Sequence, residues 1–112
     1  MEQQLNIQEK NGYKNLKLQD LDEGNHIIIE KIYDIPRELQ SKFDGGKPYY
    51  SCGAKYDNDQ VSFFLNHAHI EAYNKLGGIG TRLKITLYKE MYTNPKTNME
   101  MVLKKFKFEK VD

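Results

Sequence analysis

Between Val61 and Tyr92 the spacing of apolar residues changes twice, and this limits what the chain can fold into. In "VSFFL", Val61, Phe63 and Leu65 alternate with Ser62 and Phe64, the repeat of a strand with one buried face. "NHAHIEAYNKLGG" then places Ile70, Tyr73 and Leu76 at helical spacing, with Asn66 as N-terminal cap and Gly77 where a left-handed cap falls. "TRLKITLYKEMY" returns to a period of two, with Leu83, Ile85 and Leu87 on one face and Lys84, Thr86 and Tyr88 on the other. A strand, a short helix and a strand are therefore fixed in sequence.

The flanking segments read as further strands. "HIIIEKIYDI" (26–35) is rich in β-branched residues and is stopped by Pro36. "PYYSCGAKYD" carries Gly53 where a bulge or bend is expected, and "DNDQ" turns it back into "VSFFL". "TNPKTN" is a loop tip before the last strand, "MEMVLKKFKFEKV". Residues 37–47 read as a long loop and residues 1–15 as a flexible, polar N-terminal segment, leaving one domain over 16–112. The fold class is all-β with one helix, the helix lying between strands three and four of five.

Charge is unevenly placed. The whole chain of 112 residues carries a net +1, yet residues 82–110 hold eight Lys/Arg against Glu90, Glu100 and Glu109, a local +5. A polyanion responds to that local density through counterion release. Cys52 is the single cysteine, so an intrachain disulfide is excluded. There is no apolar run near the roughly 20 residues that cross a bilayer, and "MEQQLNIQEKNGYKN" is no signal peptide, so a cytoplasmic protein without a membrane partner is expected.

Motifs for chemistry are weak. Gly77, Gly78 and Gly80 close a helix and open a strand, the reverse of a phosphate loop, and are read as the helix exit. His67 and His69 stand two apart, on different helix faces, and lack the partners of a zinc site. Neither Cys52 nor Asp20, Asp22 and Glu23 forms a catalytic or metal signature. The chain reads as a binder, not an enzyme, with no cofactor and no metal.

The "DLDEG" turn into strand one, the glycine-bearing second strand, the helix between strands three and four and the "GIGT" lead into strand four resemble the OB domains of single-stranded DNA-binding proteins, the small phage type in particular. The resemblance spans about residues 16–111. It implies a five-stranded Greek-key OB-fold barrel, sequence-independent binding of single-stranded DNA in replication or recombination, and a homo-oligomer, dimer or tetramer, in the host cytoplasm. The bacterial members end in an acidic tail that recruits partners; this chain stops at "FEKVD", so recruitment through such a tail is not expected.

Such binding needs a cationic groove and exposed rings on which bases stack. Strand alternation puts Tyr49, Lys55 and Phe64 outward on strands two and three, and Lys84, Tyr88, Lys105 and Lys107 outward on strands four and five. Phe63 and Phe64 cannot share a face, so one ring must leave the interior. The loops at 36–47 and 93–98 add Arg37, Lys42, Phe43, Lys47 and Lys96, with Tyr92 at the base of the second. RNA binding on the same surface and a protein adaptor using the barrel are the alternatives.

Overall fold

The computed structural model describes residues 1–40, 42 and 46–111. Its centre is β3 (His26–Lys31), where Ile27 and Ile29 are wholly buried while His26, Ile28 and Glu30 face outward. β3 lies between β5 (Pro48–Tyr56), through Glu30 opposite Lys55, and β7 (Arg82–Thr93), through Ile27 opposite Ile85. β5 continues into β6 (Asp59–Asn66) across a turn in which Asp57 and Asn58 both take positive φ. β7 continues into β8 (Glu100–Val111) through twelve paired residues.

The inner faces of these strands form one core. Cys52, Ala54, Val61, Phe63, Leu65, Leu83, Ile85 and Leu87 are buried, and α1 (Ile70–Lys75) adds Ile70 and Tyr73. Each large side chain so buried contributes about 1.5–3 kcal/mol. Asn66 starts the turn before the helix, its Oδ1 accepting from the N–H groups of Ala68 and His69 at 3.0 and 3.1 Å. Lys31 finishes the helix. Its buried Nζ donates to the carbonyls of Tyr73 and Gly77, both at 2.7 Å, and lies 4.0 Å from the centre of the Tyr73 ring.

The protein is thus mostly β-sheet, and among the described residues there is one short α-helix and a sheet of eight strands where five were expected. The N-terminal segment, read as flexible, forms a hairpin of β1 (Ile7–Lys10) and β2 (Tyr13–Leu16), closed by Asn11 and Gly12 at positive φ. Leu5 is buried, and its N–H donates to Tyr56 Oη at 2.9 Å. Met1 and Gln3 exchange backbone hydrogen bonds with His26. The long loop at 37–47 is shorter than expected, because β4 (Arg37–Gln40) pairs with residues 48–51 of β5. Phe43 lies outside the described residues.

The sheet runs β1-β2-β6-β5-β3-β7-β8, with β4 beside β5, and it is open rather than closed as a barrel. Among the described residues no ladder joins β6 to β8. β2 takes the free edge of β6 instead, with Asn15 opposite Ser62. On the other side α1 fills the seam: the His69 ring meets Phe106 and Phe108 edge-on at 5.5 and 6.1 Å, and Tyr73 meets Phe63 and Phe108 at 5.9 Å. Among the described residues no helix is long and apolar enough to cross a membrane.

Candidate nucleic-acid interface

The outer face of β5 and β6 is the floor of a trough. Alternation turns Ser51, Gly53 and Ser62 outward there, and none has a bulky side chain. One wall is the β1–β2 hairpin, held against β6 by Ser62 Oγ, which donates to Asn15 Oδ1 at 3.2 Å. The other is the irregular segment between β3 and β4, Ile32 to Pro36, followed by Arg37. The deeper part has a volume of about 750 Å³ between Tyr13 and Lys14 on one side and Tyr33, Ile35 and Arg37 on the other. A shallower part of about 340 Å³ continues past Tyr13, Arg37 and Lys10 to Phe64.

Three rings stand in this trough with much of their surface free: Tyr13 is 71% exposed, Tyr33 62% and Phe64 53%. Gly53 is what lets Tyr33 lie there, because a Cβ on Gly53 would overlap the edge of the ring, 2.6 Å from Cε2. Phe64 is supported by Tyr49, whose ring meets it edge-on at 5.6 Å. The rims carry Lys10, Lys14 and Arg37. Lys14 bonds Asp59 Oδ1 at 2.7 Å, a partner that raises the lysine pKa and offsets part of its charge.

The residues singled out from the sequence fall into four groups, spread over the outer face of the sheet and the tip of the β7–β8 hairpin. Tyr49 and Phe64 are together at the shallow end of the trough. Lys55 is on the same strand as Tyr49 but in a row with Glu30 and Arg82, four residues beyond Ser51. Lys84, Tyr88, Lys105 and Lys107 share the outer face of β7 and β8, with Tyr88 opposite Lys105. β3 separates them from the trough. Lys105 is paired with Glu90 at 2.6 Å, which raises its pKa, and Lys107 lies 3.9 Å from Glu109. Tyr92 and Lys96 are further out on the hairpin: Tyr92 Oη donates to Met101 Sδ at 3.2 Å, and the Lys96 N–H is held by Asn94 Oδ1 at 2.9 Å.

Two amides of the glycine segment are engaged within the fold. The Gly80 N–H donates to the Lys31 carbonyl at 2.8 Å and the Thr81 N–H to the Gly78 carbonyl at 3.2 Å. Gly77 and Gly80 have positive φ, and it is carbonyls, on the Lys31 ammonium, that this helix exit presents. Cys52 is wholly buried, and burial pushes its thiol pKa up to about 12, too high for a nucleophile. His69 Nε2 accepts from the Phe106 N–H at 3.4 Å, and burial lowers its pKa, which suits a neutral ring inside the fold. Among the described residues no three His, Cys, Asp or Glu side chains are placed to hold a metal ion.

Tyr13, Tyr33, Lys10 and Lys14 were not expected at a site. Asn-Gly at 11–12 is a strong two-residue hairpin signal, and reading it would have placed Tyr13 and Lys14 on a strand. Nothing comparable marks Tyr33, whose place depends on the Gly53 opening across the sheet. Comparison with protein-family models, curated proteins and solved structures finds no match to this chain.

Proposed function

We propose that the protein binds single-stranded DNA without sequence preference, in replication or recombination, along the trough on β5 and β6. The observation that carries this reading is the placement of three exposed rings, Tyr13, Tyr33 and Phe64, over a floor of small residues and between rims bearing Lys10, Lys14 and Arg37. Ring faces take bases of any identity, each stack contributing about 1–3 kcal/mol, while the cations follow the phosphates. The strand order β6-β5-β3-β7-β8 supports the same reading. It is the order of an OB barrel's five strands with the closing pair absent, and in that fold the face of strands two and three binds oligonucleotides. The basic outer face of β7 and β8 adds a positive field that draws a polyanion toward the sheet.

Tyrosine fluorescence during titration with oligo-dT tests the proposal. Quenching is expected, with affinity falling as salt rises at a slope of about −2 if the three rim cations each neutralise one phosphate at about −0.7 apiece. No quenching, or binding indifferent to salt, contradicts it. Competition by matched oligo-U separates an RNA-binding role, which the same rings and cations would support.

A further inference from the structure

Among the described residues nothing covers the outer half of the β7–β8 hairpin. From Tyr88 to Thr93 on β7 and Glu100 to Lys104 on β8 every residue is exposed, on both faces of the ribbon. The exposed side chains are nonetheless largely apolar: Met91 is 63% exposed, Val102 55%, Met101 42% and Leu103 40%. A two-stranded ribbon alone in water is marginal, and among the described residues β8 has no strand on its outer edge. Lysines normally guard such an edge, yet residues 100–103 have none.

The sequence of this edge is complementary to itself. When two copies of β8 run antiparallel about a two-fold axis through Val102, Glu100 of each faces Lys104 of the other, Met101 faces Leu103, and Val102 meets its own copy. Shifting the axis one residue to Leu103 sets Val102 against Lys104 and leaves Glu100 without a basic partner. Within each chain Met91 is opposite Val102 and Tyr92 is opposite Met101. The Val102 register therefore joins Met91 and Val102 of one copy to Val102 and Met91 of the next, a continuous apolar row across four strands. On the other face Tyr92 and Met101 continue into Leu103 of the second copy. Lys104 Nζ contacts the Gln19 carbonyl of its own chain at 3.3 Å and keeps donors free for a carboxylate.

We propose that the protein self-associates through residues 100–104 of β8, forming an antiparallel two-fold dimer with Val102 on the axis. Four paired strands replace two bare ribbons, and opposite charges at both ends fix the register. This interface lies on the hairpin arm and involves none of the trough residues.

Sedimentation equilibrium at micromolar concentration should give twice the chain mass. Glu100→Lys and Lys104→Glu should each weaken the dimer at least tenfold, because each sets like charges opposite at two places. The double variant should return to within about threefold of the parent. Val102→Cys should crosslink under mild oxidation, since opposed residues about the axis lie within disulfide reach, whereas Met91→Cys, three strand spacings or roughly 14 Å from its copy, should not. Cys52 is buried and does not compete. A monomer at these concentrations overturns the proposal. So does a dimer that ignores both charge reversals, or one in which Met91→Cys crosslinks as readily as Val102→Cys.

Discussion

Gly53→Ala separates the trough's function from its stability. Gly53 does not need a left-handed backbone, so alanine fits the strand, and losing glycine's freedom in the unfolded chain favours folding by about 0.5–1 kcal/mol. Its new methyl group, however, overlaps the Tyr33 ring and comes 3.4 Å from Ile32 Cγ1. Tyr33 is 62% exposed and swings outward without opening the core. The melting temperature should then stay within about 4 °C of the parent, the shift from about 1 kcal/mol at this size. Oligo-dT affinity should fall by the value of one stack, about 1–3 kcal/mol or roughly 5- to 150-fold. Tyr33→Ala should lose a similar amount, and the double variant no more than either alone, because both remove the same ring from the same place. Fluorescence titration and thermal melting on one preparation read both quantities. Unchanged affinity in Gly53→Ala, or losses that add in the double variant, would refute the reasoning.

Lys31→Met removes two charge-assisted hydrogen bonds and the ammonium above Tyr73, partly offset by relief of a buried charge whose pKa burial already depresses. A net loss of about 2 kcal/mol, or roughly 8 °C in thermal melting, is expected, with oligo-dT affinity unchanged below the transition. His69 gives a pH dependence. Burial, then the charges of Lys105 and His67, hold its folded pKa below the ordinary 6.5, so the unfolded chain binds the proton first and stability falls as pH drops through 6.5 toward the folded value. His26 is shifted the same way by burial and then Lys84, and contributes with the same sign. Chemical denaturation at pH 7.5 and pH 5 should show the loss at the lower pH. His69→Gln, which keeps an acceptor for the Phe106 N–H, should show less of it; equal pH dependence in both would remove His69 from the explanation.

What could be read from the sequence followed one physical rule, that a strand with a period of two buries alternate residues. Val61, Phe63, Leu65, Leu83, Ile85 and Leu87 are inside for that reason, and Phe64 is outside for the same one. Gly77 follows the helix end because a positive φ is a local demand, whereas Asn66, expected as the helix cap, closes the turn at 66–69 instead, and the helix begins at Ile70 behind His69. Features that depend on distant partners were not legible. Lys31 continues the inward alternation of β3, and only the helix end that it meets makes a buried lysine tolerable. The N-terminal segment seemed aperiodic because β1 and β2 are four residues each, too short to establish a period, although Asn11-Gly12 marked the turn. The trough was hidden for a related reason: its walls come from Tyr13 and Tyr33, far apart in sequence and joined by the β2–β6 pairing and by the space above Gly53.

The most direct test compares oligo-dT affinity of Tyr13→Ala and Tyr88→Ala, both at exposed positions, one in the trough and one on the outer face of β7. Binding along β5 and β6 predicts at least a fivefold loss for Tyr13→Ala, the smallest value of one stack, and less than about a twofold change for Tyr88→Ala. A full-strength Tyr13→Ala beside a weakened Tyr88→Ala would contradict that account and move the DNA to the β7–β8 face.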